Sequence, residues 1–481
     1  MSETPPSPVA LPSLAAVVLA AGMGTRMRSK LPKMLHPVGG RPMVAHALRV
    51  AESLSPRVVV IVVGHAADQV RAALGPSYAY AMQESQLGTG HAVLQALPYI
   101  PADVETVLVL FSDTPLLSAD TVRALVERHA ASRARVTLLT AIAADPAAYG
   151  RIIRDNRNER GQGRVTEIVE AKQATAAQWA ITEINSGVAC FDAAFLREAL
   201  PALPPSPSGE IYLTDLVARA FDVPTDDDRW PVAALVTDAE EAMGINDRAQ
   251  LAEAEAALRR RVLRHLMRSG VTITDPATTY IDDTVIIGTD TTVLPGCVLR
   301  GETTIGEDCE IGPYALLNNS RIGSGCRVVA STLDDATMRD GSDCGPYSRL
   351  RGGAVIEGGA HIGNFAEVKN STIGPHTAVG HFSYIGDATV GADVNIGAGA
   401  ITANYDGTPV KRRTTIGDGA FIGSGTVLRA PVAVGAGART GGQAFVNRDV
   451  PPGVTVAGVP ARPLPEQQRA ASGERRATDE E

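Results

Sequence analysis

Between residues 14 and about 245, short apolar runs alternate with stretches whose apolar residues recur at helical spacing. The runs LAAVVLA, RVVVIVVG and VLVLFSD are followed by PMVAHALRVAESL, ADQVRAALG and ADTVRALVERHA. Strand, helix, strand in that order, with right-handed crossovers, predicts an α/β, Rossmann-like domain whose largely parallel sheet lies between helices. Ligands of such sheets sit at the carboxyl ends of strands. The glycine turn after AVVLA, the SDTP after VLVLF and the GHA after VVVIVV all fall at ends of that kind.

A different pattern begins near residue 247. DRAQLAEAEAALRRRVLRHLMR has strong helix formers, no Gly or Pro, and a basic final stretch suited to the negative end of a helix dipole, so a linker helix is expected over 247–270. From about 272 an aliphatic residue precedes glycine every six positions. Ile305-Gly306 is followed by Ile311-Gly312, Ile373-Gly374 by Val379-Gly380 and Ile385-Gly386, and Ile416-Gly417 by Ile422-Gly423. Hexads of inward aliphatics predict a left-handed parallel β-helix, each coil made of three hexads that bury their neighbours' ladder. Between Ile396 and Ile416 the count fails, and TANYDGTPVKRR is expected to leave the coil as a loop. The domains are therefore drawn at 14–246, 247–270 and 271–465, with a flexible tail at 1–13 and a polar, disordered one at 466–481.

Composition narrows the function. A net charge of −9 argues against a nucleic-acid or anionic-membrane partner, so any phosphate must be met by local cations. The five cysteines, Cys190, Cys297, Cys309, Cys326 and Cys344, are odd in number and contain no CxxC pair, which indicates neither a disulfide framework nor a zinc site. MSETPPSPVALPS lacks a basic segment and an apolar core, and no run of about 18 apolar residues occurs. A cytoplasmic location is expected.

Candidate chemistry clusters at the strand ends. In LAAGMGTRMRSKLPK, residues 19–33, Gly22 and Gly24 let backbone approach a polyphosphate while Arg26 and Lys33 neutralise charge on a departing pyrophosphate. QESQLGTGHA offers Gln83 to a base edge and a Gly88-Thr89 turn on which a ring can lie. Asp113 in FSD and Asn246 in GINDR are hard oxygen donors, which suits magnesium held between phosphates. YGR with Gly150, EIVEAK with Glu170 and EINSG with Asn185 are candidates for sugar hydroxyls.

LAAGMGTRM…LPK resembles the signature of sugar-phosphate nucleotidylyltransferases. Together with the other motifs it resembles, over residues 14 to about 462, the bacterial bifunctional family of N-acetylglucosamine-1-phosphate uridylyltransferases and glucosamine-1-phosphate acetyltransferases. The resemblance implies that Leu19, Ala20, Ala21, Gly22, Lys33, Gln83, Gly88, Thr89, Gly150, Glu170, Asn185 and Asn246 contact UTP or the nucleotide sugar, with Asp113 and Asn246 on Mg2+. The family has Tyr-Gly-Asp where this chain reads Phe111-Ser112-Asp113.

In the second half the resemblance assigns Arg351, Lys369, Tyr384 and Asn395 to glucosamine phosphate. His381, with an ordinary pKa near 6.5, suits the general base that takes a proton from the attacking amine. Ala398, Asn404, Tyr405, Ser424 and Gly442 fall to the acetyl-CoA side. Gly458 replaces a family arginine, leaving Arg448 or Arg462 as the coenzyme A cation. A homotrimer with shared acetyl sites, supplying cell-wall precursors, is implied. The competing readings are a single-activity nucleotidylyltransferase with a structural or regulatory β-helix, against which His381 and the NYDG loop weigh, and a non-catalytic scaffold, against which Arg26, Lys33 and Asp113 weigh.

Overall fold

A computed structural model describes residues 12–146, 148–155, 163–207, 209–222 and 230–464. The expected tails lie outside these residues, apart from Pro12 and Ser13. The chain divides into two compact units, one ending at Leu258 and the other starting at Arg259.

In the first unit, a sheet carries the strands Val232–Thr237, Val136–Ile142, Glu183–Asp192, Thr106–Phe111, Leu14–Ala20, Val58–Val63 and Ala79–Met82, in that spatial order. Leu14–Ala20 is buried at every position. It is a central strand, so both its faces meet helices, and an unbroken apolar run is what such a position selects. The helices Met43–Glu52, Ala67–Leu74 and Ala119–Ser132 occupy the helical patterns to within a few residues. Two apolar layers result, one built on Val17, Val60 and Phe191, the other on Val18, Leu48 and Leu125.

Within the seven-strand order the parallel expectation has one exception. Glu183–Asp192 runs antiparallel to both of its neighbours, pairing Ala189 with Val109 and with Leu138. It follows an antiparallel hairpin, Arg151–Arg154 with Val165–Val169, that feeds the chain back into the sheet reversed. Apolar composition carries no sign of strand direction.

The helix Arg248–Arg268 is capped by Asp247, whose Oδ1 accepts from the backbone N–H of Ala249 and Gln250 at 2.9 Å each. Ala254 and Ala257 pack into the first unit, Leu263 and Leu266 into the core of the second.

The second unit is a left-handed parallel β-helix. Its strands form three stacks in which every coil pairs with the next, as Val293 with Ile311, Ile311 with Val328 and Ile356 with Ile373. The aliphatic member of each hexad points inward and is essentially fully buried. The following glycine is dictated by the neighbouring coil: a Cβ on Gly397 would lie 2.6 Å from the backbone nitrogen of Ser424. All five cysteines are free and buried.

The extruded loop begins later than the sequence suggests. Thr402 stays in the strand Ile401–Ala403, fully buried, and the chain leaves the coil at Asn404 and rejoins at Thr414. Hence Val390 pairs with Ile416, whereas one coil earlier Ile373 pairs with Val390.

Candidate functional site

Two cavities open beside the carboxyl ends of the strands in the first unit. One, of about 330 Å³, is bordered by Leu19, Ala21, Gly22, Lys33, Gln83, Gly88, Thr89 and Asp113. The other, also about 330 Å³, is bordered by Thr89, Gly150, Glu170 and Asn185. Thr89 and Phe111 border both. Of the residues expected on the nucleotide and sugar, two border neither cavity: Ala20, buried in its strand, and Asn246.

Strand ends explain the positions. Leu14–Ala20 and Thr106–Phe111 are paired in register, Leu19 opposite Phe111, so both chains emerge from the sheet together. Ser112 N–H continues the ladder to the Leu19 carbonyl at 3.1 Å, and Asp113 follows. Lys33 begins a short 3-10 turn, Lys33–Leu35. Its ammonium lies 2.6 Å from Asp113 Oδ2 and 3.1 Å from Asn246 Oδ1, which also accepts from Arg26 at 2.7 Å. The Lys33–Asp113 pair is largely shielded, with side chains 13% and 24% exposed. The structure therefore gathers Arg26, Lys33, Asp113 and Asn246 into one cluster.

Gly24 has a left-handed φ of 59°, and a Cβ there would run into Lys33 Cβ. Glycine at this position lets the cation loop fold back on itself. Gln86 donates to the Ala21 carbonyl at 2.6 Å, and Gln83 to the Gly88 carbonyl at 3.1 Å, so both amides brace the entrance to the first cavity.

In the second cavity burial pushes the Glu170 carboxyl up, partly offset by the Thr214 hydroxyl, which donates to it at 3.3 Å. Burial likewise pushes Tyr149 up, while its hydroxyl accepts from Gly244 N–H at 2.8 Å. Asn185 N–H reaches the Gly150 carbonyl at 2.9 Å, which fixes two of the expected sugar residues to each other.

Sequence reasoning missed one whole wall. Glu210 borders the first cavity, and Tyr212, Leu213 and Thr214 border the second. This segment docks through Gly90 N–H to the Ile211 carbonyl at 2.8 Å and Leu213 N–H to Thr89 Oγ1 at 3.1 Å. EIYLTD carries no glycine or cation that would single it out; only its contact with the GTG turn gives it meaning.

In the β-helix, Arg351 and Lys369 stand opposite each other on adjacent coils, and Glu367 stands opposite Tyr384. Arg351 is paired with Glu367 at 2.6 Å. Lys369 is held below the usual lysine range by the neighbouring Lys411 and then by Arg351. Arg351, Lys369 and Lys411 thus bring positive charge together on one part of the surface, an arrangement that can attract an anion. Lys411, on the extruded loop, was not anticipated. The Tyr384 ring lies over Gly386, where a Cβ would meet Cζ at 2.6 Å. Asn404 is buried, donating to Asp387 and, at 3.4 Å, to the Tyr384 hydroxyl.

His381 lies at the corner between the strands Ala378–Val379 and Ser383–Gly386, exposed and with no hydrogen-bond partner among the described residues. Ala398, Ser424 and Gly442 follow it at the same corner on successive coils, linked by Gly425 N–H to the Ala398 carbonyl and Gln443 N–H to the Ser424 carbonyl at 2.7 Å each. Tyr405 is exposed on the loop. Asn395 is not brought to Tyr384: it belongs to the neighbouring stack, between Ala378 and Phe421. Among the described residues no cluster of three or more His, Cys, Asp or Glu is arranged for a metal, and no helix is long and apolar enough to cross a membrane.

The family model of the MobA-like NTP transferase domain matches residues 16–176, and that of the bacterial transferase hexapeptide (six repeats) matches residues 279–319. The curated relative "Bifunctional protein GlmU" of Brevibacillus brevis is 47% identical over 437 residues, covering 91% of this chain and 93% of that protein. The protein of the same name from Heliobacterium modesticaldum is 47% identical over 439 residues, 91% of this chain and 94% of that one. That of Rhodococcus opacus is 46% identical over 452 residues, 91% and 88%.

Proposed function

The chain belongs to the GlmU family of bifunctional proteins, and from that premise we propose that it acetylates glucosamine 1-phosphate with acetyl-CoA and then transfers a uridylyl group from UTP to the product. The products are UDP-N-acetylglucosamine and pyrophosphate. The uridylyltransferase occupies 14–246 and the acetyltransferase begins at 271, with the helix Arg248–Arg268 in the linking segment. The observation that carries the first activity is the convergence of Lys33, Arg26, Asp113 and Asn246 into one cluster, of which Lys33 and Asp113 border the first cavity.

Uridylyl transfer is an in-line displacement. A phosphate oxygen of N-acetylglucosamine 1-phosphate attacks the α-phosphorus of UTP, and the bond to pyrophosphate breaks, so positioning and charge neutralisation supply the catalysis. Lys33 and Arg26 offset the charge that gathers on the α-phosphate and the departing group. Gln83, Gly88 and Thr89 hold the nucleoside; Gly150, Glu170 and Asn185 hold the sugar. The Asp113 carboxylate and Asn246 amide oxygens both lie within 3.1 Å of Lys33 Nζ, so two hard donors already converge on one cationic position, a donor set that fits Mg2+. When bound, that ion neutralises phosphate charge.

For acetyl transfer, the sugar phosphate rests on Arg351, Lys369 and Lys411, with Tyr384 beside them. His381 takes a proton from the 2-amino group as its nitrogen bonds to the thioester carbonyl carbon; the carbon–sulfur bond breaks and the coenzyme A thiolate is protonated. Tyr384 and Asn395 are divided between two stacks of one chain. The assembly is a homotrimer in which neighbouring protomers complete the site, a reading supported by the exposed Tyr347 and Phe365, stacked at 5.4 Å. Reduced, buried cysteines support a cytoplasmic location.

The test is a panel of four nucleoside triphosphates against several sugar 1-phosphates, with and without acetyl-CoA, in magnesium. Release of free thiol with glucosamine 1-phosphate, and of pyrophosphate with UTP plus the acetylated sugar, is expected. Pyrophosphate without thiol would leave the single-activity reading in its place.

A further inference from the structure

The GINDR segment that supplies Asn246 also carries Arg248, to which the mechanism above gives no task. Arg248 opens the helix Arg248–Arg268, whose first turn contains no acidic residue. A cation there meets the positive end of the helix dipole. Two residues away, Asn246 gathers Arg26 and Lys33, with Asp113 on Lys33 and the capping Asp247 next to Arg248 as the carboxylates of this corner. Local rules broken in this way mark positions where function or specific contact outweighs propensity.

The contact is specific. Arg248 Nε donates to the Met27 carbonyl at 3.0 Å. Met27 ends the 3-10 turn Thr25–Met27, its side chain 1% exposed, and Arg28 then turns the chain away through a left-handed φ of 47°. Carbonyls at the end of a turn lack partners of their own, and Arg248 satisfies this one. Arg26 is the middle residue of that turn. Asn246 and Arg248 thus grip the same turn at two points, the first at the Arg26 guanidinium and the second at the backbone beside it. The neighbouring His36 is buried, and burial and then Arg248 push its pKa down.

We propose that Arg248 is a positioning residue for uridylyl transfer, fixing through the Met27 carbonyl the turn from which Arg26 reaches the phosphates. The proposal rests on the uridylyl-transfer reading of this site. It requires an N–H at the Nε position and not the positive charge. Arg248→Gln places an amide N–H at that position without charge; Arg248→Met removes it at similar length.

The experiment measures kcat and KM for uridylyl transfer in wild type, Arg248→Met, Arg248→Gln, Arg26→Ala and the double variant Arg26→Ala/Arg248→Met, with acetyl transfer of the same preparations as the control. Arg248→Met is expected to lose kcat/KM on the order of tenfold, Arg248→Gln to retain most of it, and acetyl transfer to stay unchanged. In the Arg26→Ala background, adding Arg248→Met is expected to cost less than twofold, because its effect runs through Arg26. Equal losses in Arg248→Met and Arg248→Gln would overturn the proposal in favour of direct charge on the phosphates. Full additivity with Arg26→Ala, or an unchanged Arg248→Met, would also overturn it. A wild type that does not turn over UTP would instead remove the reading on which it rests.

Discussion

Lowering the pH should destabilise the first unit through one buried imidazole, His129. It lies on the helix Ala119–Ser132, 4% exposed, with Nδ1 2.8 Å from Thr137 Oγ1. Burial pushes its pKa down to about 4, against a smaller opposite pull from Asp192. The folded chain therefore keeps this ring neutral where the unfolded chain, with a pKa near 6.5, protonates it. Between those values the unfolded state binds more protons, so stability is full above 6.5 and falls as the pH drops toward 4. The gap from 6.5 to about 4, at about 1.4 kcal/mol per pH unit, amounts to about 3 kcal/mol. Both tryptophans, Trp179 and Trp230, belong to the first unit, so their fluorescence during urea unfolding reports on it alone. His129→Asn keeps a nitrogen near Thr137 but does not titrate. Its stability, compared with wild type at pH 7.5, 6 and 4.5, should lose that part of the slope while carboxylate contributions cancel in the difference. Parallel profiles for the two proteins would refute the assignment.

Other outcomes concern the sites. Lys33→Ala should lower uridylyl transfer on the order of a hundredfold, with acetyl transfer on the same protein unchanged. Gly24→Ala should act likewise while leaving the melting temperature within a few degrees, because its methyl displaces Lys33 from a loop, not from the core. Chelation of divalent ions should stop uridylyl transfer and spare acetyl transfer, as read by pyrophosphate and thiol release. Lys411→Ala should raise KM for glucosamine 1-phosphate a few-fold and let Lys369 titrate higher, which lysine-detected NMR would follow.

The elements that could be read in advance are those whose periodicity is set by burial on the spot. Leu14–Ala20 and the hexads declare themselves because each residue's environment repeats along the chain. The place of the cation loop at a strand end was legible too, since its glycines follow directly on an unbroken apolar run. What escaped depends on chain brought from afar. Tyr212 and Thr214 border a cavity because their segment binds the turn at Thr89, with Leu213 lying 124 positions beyond Thr89. Asn395 illustrates a second limit: hexads give every residue the same phase on three different stacks, so nearness in sequence to Tyr384 says nothing about sharing a face. Lys411 sits among two arginines in a loop with no repeat, and only folding shows which of the three meets Lys369.

The regular stacking of coils bears on how such a chain can change in length. Between Val293 and Leu333 the rungs differ in length, Leu317 standing on Leu299 and Leu333 on Leu317, yet each pairs with the next, so a whole rung could be gained or lost there and the prism would only grow or shrink. Higher up that freedom ends: Arg351, Lys369 and Tyr384 come from consecutive rungs, and the inserted loop returns Lys411 to them. A rung inserted between Arg351 and Tyr384 would pull these side chains apart by one strand spacing, about 4.8 Å. The lower prism is thus a stretch where evolution can adjust the height of the molecule without touching its chemistry.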